Sequence, residues 1–265
     1  MIETDVDVLA SFMQFGGTDG AYLRAHLPRF AETTRRVLTR VPLTAPARIL
    51  DIGAHWLHQS VPYARMGHAV TALDGEATFS KDEVRAAAHA YGIELLVDDN
   101  IEQLTALRTI AADTFDLVLF TEIIEHLTFN PIEMWREIHR VMKPGAHLVI
   151  TTPNYYALRG RAWHWLRFLR GHGAGVDVRA LLHQPTFAHH WKEYSLRELK
   201  RYFSMISNDF SVIEATHVGK YAPASTWHDH AARCVEKMAP MLRPNLYLLL
   251  ALGKKQAGVT LEPKW

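Results

Sequence analysis

Short apolar runs alternate along the chain with longer segments in which apolar residues recur at mixed spacings of three and four. Runs of this kind, each closing on acidic or polar residues, predict strands that are buried on both faces, whereas the longer spacing predicts helices. The first five strands are predicted at Ala47–Gly53, His68–Leu73, Ile93–Val97, Phe115–Phe120 and His147–Thr152.

Helices are predicted between these strands, including Asp82–Tyr91 and Pro131–Met142, and the second is expected to stop at Lys143-Pro144-Gly145. Strands that alternate with helices imply an α/β fold with a parallel, doubly wound sheet, in which ligands bind at the carboxyl ends of the strands. The later elements are predicted as a helix at Leu196–Ile206 with Ser195 as its N-cap, a strand at Phe210–His217, a helix around Trp227–Met241 and a strand at Leu246–Leu252.

Two segments stand outside this alternation. Residues 1–41 are predicted to form a helical cap that Gly16-Gly17 interrupts, with Thr18 or Asp19 as the N-cap of its second helix. Residues 155–194 are rich in tryptophan and histidine and are interpreted as an insertion after the fifth strand. The whole chain, 1–265, is expected to be a single domain.

The composition mainly argues against certain partners and structural features. The chain is 48% hydrophobic and 22% charged, and its formal net charge of +1 gives no reason to expect nucleic acid or an anionic membrane as a partner. The only cysteine, Cys234, cannot form an internal disulfide. The N-terminus does not look like a signal peptide, and no apolar run approaches the roughly 20 residues of a membrane span. A cytoplasmic protein without a membrane span is expected.

The first predicted strand ends in a glycine turn, Asp51-Ile52-Gly53, and an acid, Asp74, follows about 20 residues later. Nicotinamide and S-adenosylmethionine enzymes share this opening. A dinucleotide needs two further glycines, at the positions that hold His55 and His58. Side chains there should obstruct a pyrophosphate, so the pattern argues against a dinucleotide.

S-adenosylmethionine carries no phosphate. It needs a close turn for its amino-acid portion, an acid for the ribose hydroxyls and an apolar slot for adenine. Gly53, Asp74 and Ile101 can supply these, since a carboxylate makes strong charge-assisted hydrogen bonds to hydroxyls. The predicted cofactor-binding residues are Asp51, Gly53, Ala54, Asp74, Asp99, Asn100, Ile101, Thr121 and Glu122.

Four segments, RILDIGA, VTALD, FDLVLFTEIIEHL and IHRVMKPGAHLVITTPN, together resemble the motifs of class I S-adenosylmethionine-dependent methyltransferases. They occur in the family's order between Ala47 and Asn154. The resemblance implies a seven-stranded, Rossmann-like sheet with an antiparallel last strand, S-adenosylmethionine as the cofactor and methyl transfer as the activity. The family's first motif usually runs Asp-x-Gly-x-Gly-x-Gly, whereas His55 and Leu57 hold the second and third glycine positions here. A reshaped loop that still works is expected.

Acidic and imidazole side chains follow the fourth strand. If residues 122–127 begin a helix, Glu122, Glu125 and His126 lie on one face of it. Three interpretations stay open: Glu125 and His126 cap or orient the helix, His126 is a general base, or the three side chains hold a divalent cation. Glu125 and His126 are the catalytic candidates, and a metal ion is an alternative that is not predicted. Some quinone-biosynthesis O-methyltransferases carry a similar Glu-x-x-Glu-His.

The insertion lies where such enzymes build the acceptor pocket. His190, within His189-His190-Trp191, is predicted as a third catalytic residue. The segment around Trp163 is instead expected to be a packing helix with solvated arginines, among them Arg161.

The function favoured by these features is O-methylation of a small-molecule or glycan hydroxyl. N-methylation of a small amine is one alternative, and a non-catalytic scaffold that kept the fold is another. Methylation of nucleic acid is disfavoured, because the chain has neither a basic surplus nor an Asn-Pro-Pro-Tyr/Phe signature.

Overall fold

The computed structural model describes residues 20–163, 165, 169, 175–221 and 224–262. Seven strands form one sheet in the order β3-β2-β1-β4-β5-β7-β6. The first five pair in parallel, whereas β7 runs antiparallel to both β5 and β6. This confirms the mostly parallel sheet with an antiparallel last strand. The strands are β1 (Arg48–Ile52), β2 (Ala69–Asp74), β3 (Glu94–Val97), β4 (Phe115–Thr121), β5 (Met142–Pro153), β6 (Phe210–Val218) and β7 (Asn245–Leu252).

Helices cover the sheet. The prediction of Asp82–Tyr91 and Leu196–Ile206 is confirmed at both ends, and Ser195 caps the second of these helices in a capping box with Glu198. In the described ranges, no helix has the length and apolar character needed to cross a membrane. The helices are α1 (Gly20–Arg40), α2 (Ser60–Arg65), α3 (Glu76–Phe79), α4 (Asp82–Tyr91), α5 (Ile132–Val141), α6 (Val178–His183), α7 (Leu196–Ile206) and α8 (Trp227–Met238).

Both faces of the sheet are buried. On one face Leu50 and Ile52 of β1 belong to the same apolar cluster as Trp135 of α5. On the other face Ile49 belongs to a cluster with Val37 of α1. Burial on both sides explains why the strands are continuous apolar runs in the sequence rather than alternating ones. The parallel order also brings the ends of β1, β2 and β4 to one edge, where the predicted site residues follow.

The junction between α5 and β5 differs from the prediction. The helix ends at Val141 and the strand begins at Met142, so Lys143-Pro144-Gly145 lies inside β5 and not in a turn. Pairing with β4 shifts register here, and Lys143 Nζ lies 2.7 Å from an Asp116 carboxylate oxygen. A bulge of this kind tolerates a proline, because the extra residues stand outside the hydrogen-bond ladder.

The N-terminal prediction is confirmed only from Gly20, where α1 begins. Gly16-Gly17 and the proposed caps lie outside the described residues, as do parts of the segment after Trp163. Within the predicted insertion, the structure has short elements, namely α6 and 3-10 turns at Arg161–Trp163 and Thr186–Ala188. The division into one domain with a cap and an insertion stays a prediction.

A buried carboxylate fastens the chain after β7 to the sheet. Asp209, just before β6, accepts hydrogen bonds from the backbone N–H groups of Gln256, Ala257 and Gly258 and lies 3.0 Å from His139 Nε2. Burial alone would raise the pKa of this carboxyl, but the hydrogen bonds outweigh burial and lower the pKa to about 2.

Replacing Asp209 with asparagine is expected to lower the free energy of unfolding by about 2 kcal/mol, because hydrogen bonds to charged groups are the stronger ones. The lowered pKa means that the carboxylate stabilises the fold above its ordinary pKa of 3.8 and loses this effect as the pH falls toward about 2. Urea unfolding at pH 7 and at lower pH measures both effects. Asp82→Asn is the control, since the Asp82 side chain is 97% exposed. Equal stabilities of the two variants at pH 7 would contradict this role.

Candidate active site

The loop after β1 keeps the backbone of a glycine-rich turn without most of the glycines. Gly53, His55 and Leu57 have φ angles of +69°, +49° and +64°, so all three positions of the Gly-x-Gly-x-Gly pattern lie in the left-handed region. An L-residue in that region costs roughly 1–2 kcal/mol. Strain of this size persists where the surrounding structure enforces it, which is common at functional sites.

Gly53 is also crowded. A Cβ atom at this position would lie 2.2 Å from Ile123 Cδ1, in the segment after β4. The Gly53 N–H donates to the carbonyl of Leu73 at the end of β2. Gly53 therefore lets the loop approach two neighbouring strand ends. Ile123 was not predicted as a site residue, because nothing in its local sequence marks an isoleucine as the neighbour of a distant turn.

Two acids stand at the ends of β2 and β3. Asp74 accepts the N–H of His55 at 2.7 Å through one oxygen and the N–H of Gly75 at 2.8 Å through the other. Asp99 accepts the N–H of Glu76 at 2.9 Å. Each carboxylate oxygen has a second lone pair, so Asp74 keeps acceptors for ribose hydroxyls. Asp74 thus lies beside the loop, as the cofactor prediction requires.

Two other acidic side chains accept hydrogen bonds within these turns. Asp51 is buried and accepts the Ser60 hydroxyl at 2.6 Å. Burial, against the hydrogen bond from Ser60, raises the pKa of Asp51 to about 7. Asp98, which the sequence analysis did not select, accepts the N–H groups of Asn100 and Ala106. It folds the segment that carries the predicted residues Asp99, Asn100 and Ile101.

Side chains at the missing glycine positions contact α1. The rings of His55 and His58 lie 5.4 and 5.8 Å from Tyr22, and His58 is also 5.3 Å from Phe30. Burial, with the nearby His55, Arg29 and His26, lowers the pKa of His58 to about 3, so this ring packs as a neutral group. Aromatic contacts therefore hold α1 to the loop after β1.

Residues 122–127 do not begin an α-helix, so the condition for Glu122, Glu125 and His126 to share one helix face is not met. Only a 3-10 turn, Ile124–His126, forms there. Glu122 has φ +56°, and its carboxylate lies 3.2 Å from an Arg29 nitrogen of α1. The Glu122 carboxylate is therefore paired with α1, and its charge still acts on Glu125 and His126.

Glu125 is fully buried at the end of this turn. Its Oε2 accepts the Thr152 hydroxyl of β5 at 2.9 Å, and its main-chain carbonyl accepts the N–H of Trp191 at 2.7 Å. Burial, and next the charge of Glu122, hold the pKa of the Glu125 carboxyl well above its ordinary range. The site thus contains a carboxyl group that favours the neutral form and that a nearby positive charge would ionise.

The rings of His126 and His190 meet edge to face, with centroids 4.9 Å apart. His126 Nδ1 lies 3.0 Å from the His189 carbonyl oxygen, and His190 Nδ1 lies 3.3 Å from a Glu193 carboxylate oxygen. An acceptor at Nδ1 favours the tautomer with its proton there, and a neutral imidazole in that tautomer has a lone pair on Nε2. Burial, and then the neighbouring His190, lower the pKa of His126, so this imidazole is neutral near pH 7.

Two side-chain oxygens of the segment after β4, Glu122 Oε1 and Glu125 Oε1, are buried and have no hydrogen-bond partner within the described part of the chain. Buried polar atoms are nearly always paired in folded proteins. These two oxygens are therefore available to a polar ligand at the end of β4.

One ligand-type atom each of Glu125, His126 and His190 falls within 4.8 Å of the others. Two imidazoles and a carboxylate are a common donor set for divalent transition metals. Each imidazole is oriented by an acceptor on its other nitrogen, as is usual for metal-bound histidines. These residues fit a divalent cation, with His190 in the place that the sequence analysis gave to Glu122.

Three further residues named from the sequence lie in the loop after β1, at the end of β4 and in the insertion. Ala54 is buried beside Gly53, and Thr121 ends β4 directly before Glu122. Arg161 was expected to be solvated, and this is wrong. It donates to the His190 carbonyl at 2.6 Å and lies 3.3 Å from Glu193, so it supports the segment that carries His190.

Comparison with known proteins agrees with this architecture. A family model described as a methyltransferase domain matches residues 22–215. A ubiquinone biosynthesis O-methyltransferase of Caulobacter vibrioides is 34% identical over 157 residues, which cover 58% of this chain and 56% of that protein. The chain spans a little over half the length of the curated relatives it matches, with shares of 56% and 57% for two of them.

Solved structures share the fold. An S-adenosylmethionine-dependent methyltransferase from Mesorhizobium loti has a TM-score of 0.55 at 15% identity, covering 86% of this chain and 97% of that one. The [4+2]-cyclase SpnF also gives 0.55, at 16% identity, over 86% of this chain and 81% of its own. Taken together, the family match, the strand order and the loop at Gly53 identify the chain as a member of the methyltransferase-domain family, the class I S-adenosylmethionine-dependent methyltransferases.

Proposed function

We propose that this methyltransferase transfers the methyl group of S-adenosylmethionine to the oxygen of a small-molecule or glycan hydroxyl, and that Glu125, His126 and His190 activate that hydroxyl. In the transfer, the bond from sulfur to the methyl carbon breaks as the oxygen–carbon bond forms. S-adenosylhomocysteine leaves, and the hydroxyl loses its proton. The removal of this proton is the step that an acid–imidazole group assists.

The observation that carries the proposal is the position of this group. Ile123, which touches the loop at Gly53, lies two residues before Glu125 in the same turn. The closeness of Ile123 to the loop at Gly53 supports a position of Glu125 and His126 near the proposed cofactor site. An amine acceptor would need no such group, since a neutral amine attacks without a base. The O-methyltransferase names of the relatives from Caulobacter and Xanthomonas support the same choice.

Glu125, His126 and His190 are also the residues that would hold a divalent cation. When bound, a divalent cation supplies Lewis acidity, which lowers the pKa of a coordinated hydroxyl. Glu125 would contribute the oxygen that lacks a partner, and the histidines their Nε2 atoms. Arg161 and Glu193 would hold His190 in place.

Methyl transfer from labelled S-adenosylmethionine to matched acceptors tests this proposal. In a panel of catechols and sugars with and without a carboxylate or phosphate group, at least one hydroxyl compound should be methylated on oxygen, and its corresponding amine should be methylated at least tenfold more slowly. Chelation with EDTA should lower the rate about tenfold, and Mn²⁺ or Zn²⁺ should restore it. Faster methylation of the amines would contradict O-methylation. Full activity in EDTA would instead contradict the cation and leave His126 as the base.

A further inference from the structure

A cavity of about 690 Å³ lies beside the proposed active site, between the end of β5 and the first turns of α7. Its aromatic wall includes Tyr155, Tyr156 and Trp191. The volume is typical of a site for a small organic molecule. Tyrosine and tryptophan combine a flat apolar face with a polar group, so they suit a ring that carries polar substituents.

The basic side chains that line this cavity outnumber the acidic ones. Of its acidic residues, Glu193 is paired with Arg161 at 3.3 Å and Glu198 with Lys192 at 3.1 Å. Arg197 and Arg201 also line the cavity, and within the described ranges neither has an acidic side chain at ion-pair distance. Arg197 and Arg201 therefore place two positive charges on one wall without an acidic partner in the described ranges.

Arg197 and Arg201 lie on one face of α7. They are four residues apart, which places their side chains side by side on the helix. Like charges at this spacing repel each other, and an anion between them removes the repulsion. The planar guanidinium group also matches carboxylate and phosphate oxygens in a bidentate fashion.

The cavity and the proposed active site share a stretch of backbone. Trp191 and Glu193 line the cavity, and Trp191 donates its N–H to the carbonyl of Glu125 at 2.7 Å. Glu193 contacts the ring of His190. A molecule in the cavity is thus next to the residues that are proposed to act on the acceptor.

We infer that Arg197 and Arg201 bind an oxyanion, carboxylate or phosphate, carried by the ring of the methyl acceptor. This inference rests on the proposed function and narrows its substrate class to anionic ring-bearing hydroxyl compounds. The arginines bind and orient the acceptor, whereas Glu125, His126 and His190 act on its hydroxyl.

Calorimetric titration of the full chain with phenyl phosphate, without S-adenosylmethionine, tests the anion site. We expect measurable binding, at least tenfold weaker binding to the double variant Arg197→Ala/Arg201→Ala, and no measurable binding of phenol. Lys200→Ala is the matched control, because Lys200 is an exposed cation of the same helix that does not line the cavity, and it should bind as the parent chain does. Unchanged binding by the double variant, or a loss as large in Lys200→Ala, would overturn the inference.

Inorganic phosphate is the second probe and separates a free anion from one attached to a ring. We expect it to bind at least tenfold more weakly than phenyl phosphate, and equal binding would overturn the assignment to the acceptor. Because neither titration involves methyl transfer, binding of phenyl phosphate with no O-methylation activity would point to failure of the proposed function alone. In turnover, the double variant should raise KM for a phosphorylated or carboxylated acceptor about tenfold with kcat unchanged.

Discussion

Replacing His126 with alanine is expected to lower kcat about 100-fold or more, while the affinity for S-adenosylmethionine stays within about twofold. The loss removes the Nε2 lone pair, which activates the hydroxyl either through the bound cation or, without it, as the base, and groups of this kind contribute roughly 100- to 10,000-fold. His126 is the residue with the most direct part in the proposed chemistry. Its Nδ1 is engaged by the His189 carbonyl, and its Nε2 lies 3.8 Å from Glu125 Oε1. Steady-state kinetics with labelled cofactor measure the change, and calorimetry with S-adenosylhomocysteine measures cofactor affinity.

His126→Asn separates chemistry from positioning. The asparagine amide can keep the hydrogen bond to the His189 carbonyl, but it has no lone pair at the position of Nε2. The proposal predicts that His126→Asn is as inactive as His126→Ala. Recovery of kcat by asparagine would show that His126 only holds the insertion. His89→Ala, at an exposed histidine of α4, is the control and should keep full activity.

Gly53→Ala is expected to weaken S-adenosylmethionine binding about 30-fold or more, which corresponds to roughly 2 kcal/mol. Two costs contribute to this loss. The φ of +69° is unfavourable for alanine, and the new Cβ would meet Ile123 Cδ1 at 2.2 Å. Either the loop or Ile123 has to move, and both lie at the edge of the sheet where the cofactor is proposed to bind. Calorimetric titration with S-adenosylmethionine measures the loss.

Gly92→Ala is the matched control for this experiment. Gly92 has a similar φ of +63°, but a Cβ there would meet nothing within 4 Å. It ends α4, away from the loop. We expect a loss of stability of about 1 kcal/mol and unchanged cofactor affinity. If both variants bind the cofactor equally well, close approach at Gly53 is not what forms the site.

The strand positions could be predicted because a buried parallel strand has a signature that is local in the sequence. β1 and β4 are apolar runs that Gly53 and Glu122 follow directly, and their alternation with helices predicts a parallel sheet. The start of β5 could not be predicted. A Pro-Gly pair normally ends a helix, and only pairing with β4 through a bulge keeps Lys143-Pro144-Gly145 in the strand.

The residues of the candidate site could be predicted from the sequence, but the hydrogen bonds that bring them together could not. Glu125, His126 and His190 were selected from the sequence, although 64 positions separate His126 from His190. Their joining depends on hydrogen bonds between distant segments, such as His126 to the His189 carbonyl. For the same reason Arg161 was misjudged, because its acceptors lie about thirty positions away in the sequence. The ion pair of Glu122 with Arg29 of α1 was likewise not predictable, because the two residues lie far apart in the sequence.

The backbone of the loop at His55 could not be predicted from its motif alone. Its missing glycines argued for a reshaped turn, yet His55 and Leu57 keep the left-handed backbone that glycine would adopt. Glycine is favoured at such positions but not required when neighbours hold the chain. Here Leu57 is fully buried and the His55 N–H is bound by Asp74.

A crystal structure of the full chain with S-adenosylhomocysteine would show whether the loop at Gly53 and the turn at His126 form one active site. We expect the ribose hydroxyls to bind Asp74, the amino-acid portion to lie against the loop at Gly53, and the sulfur to face His126 and Glu125. S-adenosylhomocysteine bound with its sulfur turned away from these two residues would contradict the proposed active site.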